Sequence, residues 1–194
     1  MRQPSYAVEV KEFRIIRLED DLKSIKLQSM IEDLISKYDL SKLRFRRNLL
    51  VLKSGRPFSP AKEPSIYFFA ESRSTDYTAD KNRLLSTLIH EEYHAYLAQF
   101  PVELEKAKIM LMKLYPKEQL PSNKNEMADD LESTYLHLVV CWLEYDSIKK
   151  LLGQEEAKRI ISTGSVYRWI YDRELESYEK IGAIIKDAGL LNPL

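Results

Sequence analysis

The chain has 194 residues, of which 44% are hydrophobic and 31% are charged, a composition typical of a globular protein. Its 30 basic and 30 acidic side chains balance, whereas a dedicated nucleic-acid-binding domain is usually strongly basic. The single cysteine, Cys141, excludes an internal disulfide and a cysteine-based zinc cluster. No apolar run is long enough to span a membrane and residues 1–6 contain no apolar signal core, so we expect a cytoplasmic protein without a membrane partner.

The first part of the chain is rich in predicted strands. The patterns of apolar residues and of turn formers predict a strand over 6–18, a helix over 19–38, a strand over 43–53, a loop over 54–64 and a strand over 65–71. Residues 42–56 hold six basic side chains and no acid, which could contact nucleic acid. Alternating basic residues are also typical of the solvent-exposed face of a strand, and we favour that interpretation.

The rest of the chain has helical periodicity, interrupted by prolines and glycines. It predicts five helices, over about 80–100, 102–115, 121–153, 154–163 and 165–188. Asp80 is a candidate N-cap of the first helix, and the first four helices end at Pro101, Pro116, Gly153 and Gly164 in turn. Strands followed by helices predict an α+β fold. We expect one domain over 1–194, with a strand-rich part at 1–80 and a helical part at 81–194.

One motif carries a chemical prediction. Residues 90–94 read H-E-x-x-H and directly follow the apolar stretch LLSTLI, which predicts a core helix. Four residues span just over one helical turn, so His90 and His94 lie on one face and can bind one metal ion. The carboxylate of Glu91 can accept a proton from a water on that metal. The alternative is a hydrogen-bonded network of these three side chains without metal.

A zinc site of this kind needs a third protein ligand. His137 lies in the apolar stretch LHLVVCWL and is better explained as a core residue, so a carboxylate is favoured. Glu126 and Asp130 lie four residues apart at the start of the predicted long helix, so one can bind the metal while the other accepts the N–H of a ligand histidine. Asp129 or Asp130 remains an alternative ligand. The alternative is that these acidic residues form the first turn of the helix and only complement its dipole.

H-E-x-x-H followed by N-E-x-x-x-D at residues 125–130 resembles the gluzincin group of zinc metallopeptidases. The resemblance implies Zn²⁺ bound by His90, His94 and Glu126, with Glu91 as the general base and Asp130 as the hydrogen-bond partner of His90. Asp129 departs from the fuller pattern, which has serine at that position. The resemblance covers about residues 19–146.

The same resemblance implies a zincin-like fold. In such a fold a backing helix corresponds to residues 19–38, and an edge strand that aligns extended substrates corresponds to residues 65–71. The expected activity is hydrolysis of a peptide or protein substrate. Tyr167, Tyr171 and Tyr135 are candidate donors to the oxyanion, with aromatic packing as the alternative role for each. An alternative function is a regulatory or binding protein with a zincin fold, similar to ImmA/IrrE-like proteins or with a vestigial site.

Overall fold

The computed structural model describes residues 6–60, 63–72, 77, 79–121, 126–163 and 166–194. The chain forms two compact units, one made of residues 1–96 with residue 194 and the other of residues 97–193. The α+β class is confirmed, because strands pair in the first unit and helices make up the second. The division falls at the end of the helix that carries His90 and His94, whereas the boundary predicted at residues 80 and 81 placed this helix with the helical part.

The first unit begins with a β-hairpin. Strands β1 (Tyr6–Val10) and β2 (Phe13–Arg17) pair antiparallel, although the sequence pattern predicted one strand over 6–18. The reversal occurs at Lys11 and Glu12, whose φ angles are 44° and 69°. A two-residue hairpin turn with both central residues at positive φ usually contains Asn or Gly. Neither residue is present here, so the sequence carried no turn signal.

Two strands parallel to β2 continue the sheet. Helix α1 (Leu22–Lys37) connects β2 to β3 (Asn48–Gly55), and β4 (Ser65–Ser72) follows, so that the strand order is β1-β2-β3-β4. Asp21 caps α1 by accepting the main-chain N–H groups of Lys23 and Ser24. One side of the sheet forms the core of this unit through fully buried Ile15, Leu49 and Ile66, each stabilising the fold by about 1.5–3 kcal/mol.

Helix α2 (Lys81–Leu97) completes the first unit. Its predicted N-cap is confirmed, because the Asp80 carboxylate accepts the main-chain N–H groups of Asn82 and Arg83 at 3.0 and 3.1 Å. Apolar side chains of its first turns are fully buried, including Leu84, Leu85 and Ile89. The H-E-x-x-H motif therefore lies on a helix that is largely buried.

The second unit is helical. It contains α3 (Pro101–Leu114), α4 (Leu131–Leu152), α5 (Gln154–Ser162) and α6 (Arg168–Asp187), and α4 packs against the other three. Helix α4 begins at Leu131, and residues 126–130 are not helical. The predicted long helix over 121–153 is therefore wrong for these five residues. The predicted helix openings at Ser122–Asn123 and at Ser165 lie outside the described residues.

Helix α6 is kinked at Ser177, whose φ and ψ angles are −129° and 26°. Next to the kink, the Trp142 indole N–H donates a hydrogen bond to the Tyr178 carbonyl at 2.9 Å. Gly182 of α6 allows α6 to approach α4 closely, because a Cβ atom at this position would overlap the ring of Trp142 on α4. None of the described helices is both long and apolar enough to cross a lipid bilayer.

Candidate metal centre

His90 and His94 lie one turn apart on α2, and their imidazole rings meet edge to face. Their Nε2 atoms are 3.2 Å apart and their ring centroids 5.0 Å apart. His90 is buried and His94 is half-buried. The spacing that the motif predicted on one helix face is therefore present within the first unit.

The distance between the two nitrogens fits a shared zinc ion. With Zn–N bonds of about 2.0–2.1 Å, nitrogens 3.2 Å apart subtend an angle of about 100–106° at the metal, close to a tetrahedral angle. The donor set also fits, because two imidazoles are common zinc ligands. A single N–H···N hydrogen bond between the rings has the same length, so the distance alone is consistent with both arrangements.

Two buried carboxylates follow His90 on the same helix. Glu91, the predicted general base, has 7% of its surface exposed. Glu92 is 2% exposed, and its Oε2 accepts the main-chain N–H groups of Phe45 and Arg46 at 2.9 and 3.0 Å. Its Oε1 has no hydrogen-bond partner among the described residues, and burial raises the pKa of Glu92 to about 8. Glu92 thus ties α2 to the segment that leads into β3, a role that the sequence analysis missed.

In the second unit, side chains of metal-ligand type lie along one face of α4. His137, Cys141 and Glu144 are buried and follow each other at intervals of four and three residues. The Nδ1 of His137 lies 2.7 Å from the carbonyl oxygen of Ser133, which favours the tautomer that donates from Nδ1 and keeps the Nε2 lone pair. The burial predicted for His137 and Cys141 is confirmed. The face itself was missed, although its spacing was visible in the sequence.

The predicted carboxylate ligand and its partner precede α4. Glu126 is half-buried, and its carbonyl oxygen accepts the main-chain N–H of Trp169 at 3.0 Å. Asp130 is the N-cap of α4 and accepts the main-chain N–H of Ser133 at 2.7 Å. Because the two residues are not part of a helix, the shared helix face on which they were paired is not present. Asn125 lies outside the described residues.

The three predicted oxyanion donors differ in their hydrogen bonds. The Tyr135 hydroxyl donates to the Tyr115 carbonyl at 2.6 Å, and the Tyr171 hydroxyl donates to Glu144 Oε2 at 2.9 Å. Tyr167 caps α6 in the left-handed region with a φ of 57°, and its ring stacks on His137 with 4.3 Å between centroids. Tyr135 and Tyr171 therefore each form a hydrogen bond within the helical unit.

A further buried carboxyl group lies on α6. Glu174 is fully buried, and neither of its carboxyl oxygens has a hydrogen-bond partner among the described residues. Burial, and secondarily the charge of Glu144, raises the pKa of Glu174 well above its ordinary value. Its burial depends on the packing of α6 in the helical unit, so no local sequence pattern indicated it.

Comparison with protein families, with curated proteins and with solved structures found no match to this chain.

Proposed function

We propose that this protein is a zinc-dependent metallopeptidase with a zincin-like fold. The observation that carries the proposal is that α2 presents both imidazoles on one face with their Nε2 atoms 3.2 Å apart, a distance that suits one zinc ion as well as a hydrogen bond between the rings. The buried carboxyl group of Glu91 on the same helix supports it. The local geometry of the motif thus supports the proposal.

A catalytic zinc site of this kind needs a third protein ligand. The resemblance to gluzincins assigns it to Glu126, with Asp130 as the partner of His90. The buried α4 face supplies alternatives, of which His137 has the tautomer expected of a ligand, since ligand histidines donate their other ring N–H to a carbonyl or carboxylate. Zinc affinities of Glu126→Gln and His137→Asn decide between them, because loss of a ligand weakens binding far more than loss of a neighbour.

The proposed chemistry is addition of water to a peptide carbonyl. A bound zinc ion would lower the pKa of water towards neutrality and polarise the scissile carbonyl. Glu91 accepts one proton from the attacking water and returns it to the nitrogen of the leaving amine as the C–N bond breaks. His90 and His94 would hold the metal through the Nε2 atoms that they present on one face of α2.

The edge of the sheet offers a way to hold an extended substrate. β4 is an edge strand, and its outward main-chain groups alternate with those that bond to β3. At Tyr67 these groups are already paired with Phe58, by bonds of 3.0 and 3.3 Å. The next outward positions are Phe69 and Glu71, which have no such partner among the described residues. We propose that these two positions pair with the substrate main chain.

The experiment compares peptide hydrolysis and zinc content of the wild-type protein, Glu91→Gln and the control Glu9→Gln. Glu9 is an exposed carboxylate on β1 of the same unit. We expect Glu91→Gln to keep zinc and to lose at least about 100-fold in hydrolysis, the usual contribution of a general base. Full activity of Glu91→Gln would contradict the mechanism, and zinc binding without hydrolysis by the wild-type protein would favour the regulatory alternative.

A further inference from the structure

The chain segment that joins β3 to β4 returns along the free edge of β4. Phe58 pairs antiparallel with Tyr67: its main-chain N–H donates to the Tyr67 carbonyl at 3.3 Å, and the Tyr67 N–H donates to the Phe58 carbonyl at 3.0 Å. Since β3 lies on the other side of β4, the segment has to cross β4 to reach this edge. Residues 57–60, the strap, therefore occupy one position at the edge of the sheet.

The crossing takes place on the face of the sheet that carries the Phe69 ring. A Cβ atom at Gly55, the last residue of β3, would overlap that ring, so the main chain touches it directly. Side chains at alternate positions of a strand share a face, so the Tyr67 ring lies on the same face. The Phe58 ring stacks on it, with 4.6 Å between centroids and 4° between the ring planes. The strap thus covers both the edge and the adjoining face at Tyr67.

Pairing of the strap with β4 is limited to this one residue. Pro60 lies two residues beyond Phe58, where an antiparallel ladder would form its next bonds. Proline has no main-chain N–H, so it cannot extend the ladder. No main-chain bond joins the strap to Phe69 or Glu71 among the described residues. The bridge therefore ends where the positions proposed for the substrate begin.

One arginine side chain also holds the strap. Arg46 donates to the Ser59 hydroxyl at 3.4 Å and to the Pro60 carbonyl at 3.1 Å. None of the residues 57–60 is buried, and Phe58 is 46% exposed even with its ring on Tyr67. Segments without buried apolar side chains open locally at a much lower free energy than core strands. The strap can therefore open while the sheet stays intact.

An extended substrate and the strap compete for the same main-chain groups. A peptide that pairs with Phe69 and Glu71 and continues along β4 reaches Tyr67, whose outward N–H and carbonyl are already bonded to Phe58. One edge position accommodates one strand. Such a peptide therefore either stops short of Tyr67 or displaces the strap.

We propose that the strap acts as an internal pseudosubstrate, which occupies the edge of β4 in the free protein and is displaced by long, extended peptides. This inference rests on the proposed function, because β4 has to align the substrate. Displacement lowers the apparent affinity for long peptides, since only the open form can bind them along the full edge. Short peptides that pair with Phe69 and Glu71 alone leave the strap in place.

Hydrolysis of a short and a long peptide by the full-length protein tests this inference. The short peptide has about four residues, and the long one has about ten, enough to reach past Tyr67 at about 3.3 Å per residue. Phe58→Ala removes the stacked ring and weakens the strap. We expect its KM for the long peptide to fall by about tenfold, with kcat within about twofold of wild type and KM for the short peptide unchanged.

Phe58→Tyr keeps the stacked ring and should behave as wild type with both peptides, as should Glu9→Gln at an exposed position on β1. Circular dichroism confirms that each variant is folded. If KM of Phe58→Ala for the long peptide is unchanged or higher, or if KM falls equally for both peptides, the inference is overturned and the proposed function stands. If the wild type hydrolyses neither peptide, the proposed function fails and this inference fails with it.

Discussion

Replacing Glu92 tests how α2 is held in the first unit. Its Oε2 accepts two main-chain N–H groups, from Phe45 and Arg46, at 2.9 and 3.0 Å. Glu92→Ala leaves both donors without their acceptor, at about 1–3 kcal/mol each when buried. Removal of a buried carboxyl group with an unpartnered Oε1 offsets part of this loss. We therefore expect Glu92→Ala to lower the free energy of unfolding by about 2–4 kcal/mol.

Urea unfolding followed by circular dichroism measures this change. Glu92→Gln keeps an oxygen that can accept both N–H groups, so we expect it to lose less than about 1.5 kcal/mol. Glu9→Ala, at an exposed position on β1, should lie within about 0.5 kcal/mol of wild type. Equal losses in Glu92→Ala and Glu92→Gln, or a loss below about 1 kcal/mol in Glu92→Ala, would refute the assigned role of the two hydrogen bonds.

Two further predictions concern the helical unit. Gly182→Ala should lower the free energy of unfolding by about 1–3 kcal/mol in urea unfolding, because its Cβ would overlap the Trp142 ring; a neutral effect would show that α4 and α6 separate easily. Glu174 has a raised pKa in the folded state, so its contribution to stability is present below the unfolded pKa and is lost as pH rises towards the folded pKa. Glu174→Gln should flatten the decline in stability as pH rises above 4.5, the ordinary pKa of this carboxyl group, measured as unfolding midpoints, whereas an unchanged decline would contradict the assignment.

Elements with local signals were predictable from the sequence. Helix α2 starts after the side-chain cap Asp80, and helix α3 starts with Pro101. Both signals depend only on neighbouring residues, so the sequence alone reveals them. The turn at Lys11 and Glu12 could not be predicted, because these side chains adopt positive φ without the usual Asn or Gly. Tertiary pairing of β1 with β2 compensates for this unfavourable local geometry.

The start of α4 shows how one sequence signal allows two structures. Acidic residues are favourable both in the first turn of a helix and as its N-cap. The sequence pattern predicted that Glu126 and Asp130 lie inside the helix, whereas Asp130 caps it from outside. The predicted pairing of these two carboxylates required both residues to lie within the helix. It is therefore lost when the helix begins at Leu131.

The two histidines of the candidate site were predictable because one helix sets their spacing. His90 and His94 share a face whatever surrounds the helix, and the structure places their Nε2 atoms 3.2 Å apart. The buried carboxyl groups of Glu92, Glu144 and Glu174 were not predicted, because burial arises from packing between elements far apart in sequence. Carboxylates are usually exposed, so their identity alone gave no indication of burial.

Zinc binding by the metal-free protein tests the central claim most directly. We expect isothermal titration to show one zinc ion bound per chain, retained in Glu91→Gln and lost in the folded double variant His90→Asn/His94→Asn. This result follows if the two imidazoles on α2 are zinc ligands and Glu91 is not. Absence of zinc binding in the wild type, or unchanged zinc affinity in the double variant, would contradict the account.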